Sequence, residues 1–168
     1  MLFVVTGGVE IGKSTTLRRL VQRMKRKGFQ LSGVLTATDR LGRKWVTDLA
    51  TGKRRLLASR QPGEGLSVGR YTLRHEAIDF ANAAIESGGF SDLLIVDELG
   101  SLELKSAGFT AAFDAVAQRG KQPVLLVIRQ KLVDQYAAQM GPFASIFSVT
   151  GENRDTLDRD IFKALTAR

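Results

Sequence analysis

Leu2-Phe3-Val4-Val5-Thr6-Gly7-Gly8-Val9-Glu10-Ile11-Gly12-Lys13-Ser14-Thr15 opens the chain and decides its reading. Residues 2–6 are apolar and rich in β-branched side chains, as in a strand buried on both faces. Gly7 to Ser14 fit G-x-x-x-x-G-K-[ST] at every position. Glycines there let the backbone wrap tightly, so that successive N–H groups converge on an anion. Leu17, Leu20, Val21 and Met24 then recur at helical spacing, which predicts a helix over residues 13–27 ended by Gly28. That helix adds its positive end to the same point. Strand, glycine loop and helix in this order predict a phosphate-binding loop over Gly7, Gly8, Val9, Glu10, Ile11, Gly12, Lys13, Ser14 and Thr15. In such a loop Lys13 reaches the β- and γ-phosphates of a nucleoside triphosphate and the Ser14 hydroxyl ligates Mg²⁺. Thr15 is placed to contact the α-phosphate.

A second stretch, Leu93-Leu94-Ile95-Val96-Asp97-Glu98, has four apolar residues closed by two acids, the pattern of a Walker B strand. In a parallel sheet its C-terminal edge lies beside the phosphate loop. Asp97 is then the candidate holder of the Mg²⁺ hydration shell, and Glu98 the candidate that orients and deprotonates the attacking water.

Working outward, residues 32–37, 43–49 and 54–58 read as strands joined by turns at Asp39–Gly42 and Thr51-Gly52-Lys53, a small antiparallel meander. Residues 60–69 read as a flexible loop. Helices are predicted at 74–87, 107–119, 130–140 and 153–166, the last starting at Glu152 or Asn153. They alternate with strands at 93–96, 124–128 and 144–149. The alternation predicts an α/β fold of the P-loop class, a three-layer sandwich with a mostly parallel sheet and a meander inserted. Residues 1–168 are expected to form a single domain.

With 168 residues, 43% hydrophobic and 25% charged, the composition is that of a globular protein. Cysteine is absent, which removes disulfides and thiolate chemistry. His75, the single histidine, lies among Arg74, Glu76 and Asp79 and reads as a solvated helix start. The apolar N-terminal run is too short for a signal peptide, and no stretch is long enough for a membrane span, so a cytoplasmic location is expected. Residues 1–60 hold 14 of the 25 Lys and Arg but only three acids, Glu10, Asp39 and Asp48. That asymmetry leaves a nucleic-acid partner open.

The chain resembles the small nucleoside-triphosphatases of archaea and bacteria, which have an animal relative called cancer-related nucleoside-triphosphatase. The phosphate loop, Gly33-Val34-Leu35-Thr36, Val68-Gly69-Arg70-Tyr71 and Asp97-Glu98-Leu99-Gly100-Ser101-Leu102-Glu103-Leu104 carry the resemblance. Ser106, Phe109 and Thr150-Gly151-Glu152-Asn153-Arg154-Asp155 complete it. The resemblance implies slow, Mg²⁺-dependent hydrolysis of ATP, GTP or other nucleoside triphosphates with broad tolerance of the base. It also implies a RecA-like or Rossmann-like sheet with antiparallel additions. Two departures stand out. Val9 and Glu10 replace the Pro-Gly pair usual in this loop, bringing a carboxylate toward the triphosphate and a Cβ where glycine is usual. The usual Thr-x-Glu has become Thr36-Ala37-Thr38.

Arg70, Arg129 and Arg154 are candidates for an arginine finger. For Glu103, catalytic support and capping of a helix near Ser106 both stand open. A small-molecule or nucleoside kinase and a nucleotide-dependent, RNA-linked switch are the alternatives to hydrolysis, although no arginine-rich lid or acceptor motif is evident. No guanine-reading Asn/Thr-Lys-x-Asp element is present, which argues against dedicated use of GTP.

Overall fold

The computed structural model describes residues 1–118, 120 and 122–167. Five strands form the parallel half of one nine-stranded sheet: β1 (Leu2–Gly7), β2 (Leu31–Thr38), β7 (Leu93–Leu99), β8 (Val124–Ile128) and β9 (Ser145–Val149). The antiparallel half is β3 (Lys44–Asp48), β4 (Arg54–Ser59), β5 (Leu66–Val68) and β6 (Tyr71–Leu73). The order across the sheet is β5-β6-β4-β3-β2-β7-β8-β1-β9. β8 therefore separates the strand of the glycine loop from the strand that ends in Asp97. β2 is the junction, parallel to β7 on one side and antiparallel to β3 on the other. Its Gly33, at φ +85°, lies so close to β7 that any Cβ would collide with the Ile95 carbonyl.

Helices cover both faces of the parallel half. α1 (Lys13–Arg26) and α5 (Leu157–Thr166) pack through Leu17, Leu20, Val21, Leu157 and Ile161 onto Phe3, Val5, Ile95 and Val127. α2 (His75–Glu86), α3 (Ala111–Gln118) and α4 (Val133–Met140) cover the opposite face, with Ile78, Ile85, Val116 and Tyr136 against Val4, Val96 and Leu126. Alternate strand residues thus feed two separate cores. Strands with apolar residues on both faces are the physical reason β1, β7 and β8 read as continuous hydrophobic runs.

Four expectations need correction. The stretch 60–69 is not loop throughout, because residues 66–68 form β5 and pair with β6 as a hairpin turning at Gly69, φ +58°. The helix expected from residue 107 begins at Ala111, since residues 103–105 form a 3₁₀ turn that Ser106 leaves in the left-handed conformation. Residue 119, the last position expected in that helix, lies outside the described residues. The final helix starts at Leu157 rather than 153, because Asn153 instead closes the preceding turn, its carbonyl accepting from Thr156 and Leu157 N–H. Residues 130–132 likewise form a 3₁₀ turn ahead of α4. Among the described residues no helix is long and apolar enough to cross a membrane.

Candidate active site

The glycine loop leaves β1 at Gly7 and enters α1 through Gly12. Gly12 occupies the N-cap position at φ 114°, and the first turn holds no acidic residue and no side-chain cap. Its first N–H groups therefore stay open to an anion. A Cβ on Gly12 would lie 3.1 Å from Arg154 Cδ, so Arg154 lies against the loop. Thr16, the next buried residue of α1, donates its hydroxyl to the Arg154 carbonyl at 3.1 Å. Arg19 pairs with Asp155 at 2.7 Å and Arg23 with the buried Asp158 at 2.8 Å. Asn153 holds this segment from within, accepting from Thr150 N–H and donating to the Ser148 carbonyl. The Thr150–Asp155 stretch is thereby clamped beside the phosphate loop.

Lys13 lies over the loop it belongs to, its Nζ donating to the carbonyls of Gly7 at 3.0 Å and Gly8 at 2.8 Å. Ser14 and Thr15 are exposed at the top of α1. Val9 and Glu10 are exposed as well, and Glu10 holds φ 56°, a left-handed conformation costly for a side chain with a Cβ. The Glu10 carboxylate makes no hydrogen bond or ion pair among the described residues and stands in solvent.

Asp97 and Glu98, near the end of β7, have opposite environments. Asp97 is 3% exposed, and its Oδ2 accepts from Thr36 N–H at 3.0 Å and Thr36 Oγ1 at 3.2 Å. Its Oδ1 carries no hydrogen bond among the described residues. Burial pushes its carboxyl up to about 7, with the neighbouring Glu98 charge adding to the rise and Thr36 and Lys13 opposing it. A buried carboxylate with one oxygen unengaged and a proton held too tightly suits a cation that would replace that proton. A buried carboxylate and the exposed Ser14 hydroxyl at the start of α1 are oxygen donors of the kind that fit Mg²⁺, which takes one or two protein oxygens and completes its shell with phosphate and water. Glu98 is half-buried and accepts from Arg129 Nε at 3.2 Å. The Asp97–Glu98 peptide bond is cis.

The turn after β7 is fixed from both sides. Glu103, 7% exposed, accepts from Gly100 N–H at 2.8 Å and Phe109 N–H at 3.0 Å. Tyr136 donates its phenol to the Gly100 carbonyl at 2.7 Å, and burial raises the phenol's pKa well above its ordinary value. Of the two roles open for Glu103, the geometry shows a brace for this turn and for the approach to α3. Thr36 and Tyr136 are the residues that motif reasoning missed. Thr36 stood in a quoted stretch without a role, and Tyr136 looks like any core aromatic.

The three candidate arginines separate. Arg154 touches the phosphate loop, Arg129 is tied to Glu98, and Arg70 lies on the antiparallel half, 5.7 Å from the Tyr71 ring. His75 is exposed at the first position of α2, as expected.

Comparison with known proteins places the fold and the family. A family model described as NTPase matches residues 2–162. The nucleoside-triphosphatase THEP1 of Hyperthermus butylicus is 33% identical over 169 residues, covering 96% of this chain and 89% of the relative. That of Methanosarcina barkeri is 35% identical over 159 residues, covering 91% and 90%. The crystal structure of THEP1 from the hyperthermophile Aquifex aeolicus superposes with a TM-score of 0.73 over 99% of both chains. At 23% identity that last likeness speaks for the fold alone. A match across nearly the whole chain, together with curated relatives above 30% identity, shows that this chain belongs to the NTPase family.

Proposed function

We propose that this chain hydrolyses nucleoside triphosphates to the diphosphate and inorganic phosphate, with Mg²⁺, slowly and with little regard for the base. The observation that carries the reading is the buried Asp97, one oxygen unengaged, beside Glu98 at the end of β7 and within electrostatic reach of Lys13. The N–H groups of Gly7 through Thr15 cradle the α-, β- and γ-phosphates, and Lys13 exchanges its loop carbonyls for phosphate oxygens. Ser14 and Asp97 hold Mg²⁺, which when bound offsets charge on the β- and γ-oxygens. Glu98 orients the attacking water and takes its proton. Arg129 steadies the Glu98 carboxylate, and Thr36 aims that of Asp97.

The clamped Thr150–Asp155 stretch supplies no guanine-reading side-chain pattern, which supports a broad choice of base. A cytoplasmic location belongs to the same proposal. The continuous nine-stranded sheet supports a single domain over 1–168.

Phosphate release from ATP, GTP, CTP and UTP, with Mg²⁺ and with excess chelator, tests the reading. Slow, Mg²⁺-dependent release from several of the four is expected. Release that persists under chelation would contradict the metal assignment. Release from one nucleotide alone would contradict broad base use, and release from none would contradict hydrolysis.

A further inference from the structure

The Glu98 carboxylate faces more than the phosphate site. A cavity of about 430 Å³ opens beside it, between the turn after β7 and the antiparallel half of the sheet. Its floor is apolar, from Leu57, Val68, Leu73, Leu102 and Phe109. Its polar rim is Lys44, Arg70 and Tyr71 on one side and Glu98 and Arg129 on the other. None of the phosphate-loop residues lines it, so it is not the triphosphate site itself.

Hydrolysis does not require such a space. A water takes about 30 Å³ of liquid volume, whereas cavities that bind small organic molecules begin at about 300 Å³. The charges of the rim say what would fit. Both acids of the lining are already engaged, Glu98 by Arg129 and Glu103 by the Gly100 and Phe109 N–H groups. Lys44 and Arg70 have no carboxylate partner among the described residues. They lie 4.7 and 5.7 Å from the centre of the Tyr71 ring, and Arg60 lies 5.9 Å from it. Lys44 and Arg70 at the cavity rim, with Arg60 behind them at the same phenol and no acid among them, form a site for an anion. The apolar floor adds room for a hydrocarbon or aromatic body.

We propose that this cavity binds a small organic anion bearing a hydroxyl, and that the hydroxyl accepts the γ-phosphoryl group in place of water. The proposal rests on Glu98 being the base of the hydrolytic reaction. Asp97 and Glu98 are adjacent on β7, and Thr36, which holds the Asp97 carboxylate, lines the cavity together with Glu98, so the two sites share a wall. The acid group of the ligand pairs with Lys44 and Arg70, and its hydroxyl reaches Glu98. The hydroxyl proton passes to the Glu98 carboxylate as its oxygen bonds to the γ-phosphorus. The bond from that phosphorus to the β–γ bridging oxygen breaks, and the nucleoside diphosphate leaves. A phosphate ester replaces inorganic phosphate as the product, with the same nucleotide consumed.

The test uses 4-hydroxyphenylacetate, which carries an acid, a ring and a hydroxyl, on the full chain with labelled leucine and valine methyl groups. Without nucleotide or metal, saturable shifts are expected at the methyls of Leu57, Val68, Leu73 and Leu102. Arg70→Glu and Lys44→Glu, both at the cavity rim, should each weaken this binding about ten-fold. Absence of saturable shifts in the parent chain, or binding that neither substitution weakens, overturns the site. With Mg²⁺ and γ-labelled ATP, label is expected on the hydroxyl of the probe. Binding at the cavity with all label released as inorganic phosphate overturns transfer while leaving hydrolysis standing. Label that stays in ATP with and without the probe would instead mean that hydrolysis itself fails.

Discussion

In the parallel half of the sheet, β1 and β8 are buried at every residue and β7 at every residue but Glu98, whereas β5 and β6 of the antiparallel half have no buried residue at all. The parallel half holds its helices on both faces. The antiparallel half packs α2 on one face and covers its aromatics with cations instead, Arg43 and Arg54 over Trp45 and Lys44 over Tyr71. A rigid, dry frame on one side positions the phosphate loop and Asp97. A half-solvated, basic ribbon on the other shapes the neighbouring cavity. On the proposed mechanism the two halves serve different parts of a reaction, fixed charge stabilisation on one side and choice of what enters on the other.

The contrast is broken most severely in the parallel half. Lys13→Ala should lower phosphate release about 100- to 1,000-fold, since it removes a fixed positive charge from the transferring group. Lys53→Ala, an equivalent loss of charge at an exposed turn of the antiparallel half, should change it less than about two-fold. Steady-state phosphate release from the two variants makes the comparison, and equal losses would erase the distinction between the halves.

The buried end of β7 gives a pH signature that the solvated half lacks. Asp97 ionises near 3.8 in the unfolded chain and at about 7 in the folded one. The folded state therefore holds a proton that the unfolded state has released, and stability falls as pH rises between about 4 and 7, then levels. The whole change is on the order of 4 kcal/mol in the metal-free protein. Urea midpoints across that range should show it, and Asp97→Asn should flatten it. A rise in stability over the same window would contradict the burial argument.

The smallest effect concerns Glu10. Its left-handed backbone costs about 1–2 kcal/mol for a residue with a Cβ, while a glycine there would lose about 0.5–1 kcal/mol of entropy. Glu10→Gly should therefore stabilise by about 0.5–1 kcal/mol and raise the melting temperature by about 1–4 °C. Thermal melts of the two chains decide it, and a fall would mean that the Glu10 side chain contributes an interaction of its own.

Legibility in the sequence follows the same divide. Strands buried on both faces become unbroken apolar runs, so 2–6, 93–96 and 124–128 could be read directly. The β5–β6 hairpin could not, because its strands are three residues long and follow Pro62, Gly63 and Gly65, which mark a loop wherever they occur. The phosphate loop was legible because phosphates are met mainly by backbone N–H groups, whose spacing the glycines report. Thr36 and Tyr136 were not, since their partners lie 61 and 36 residues away and only the folded sheet brings them together. Helix starts at Ala111 and Leu157 were misplaced because ordered turns precede them, and turns carry little periodicity.

On the proposed mechanism Glu98 serves the chemical step and not the binding of nucleotide. Glu98→Gln keeps the shape of the side chain and removes its charge, so nucleotide affinity and single-turnover phosphate release should be measured on the same preparation. Affinity within about two-fold of the parent, with release slowed about 100-fold or more, is the predicted result. Unchanged release, or a loss of affinity that accounts for the whole effect, would contradict it.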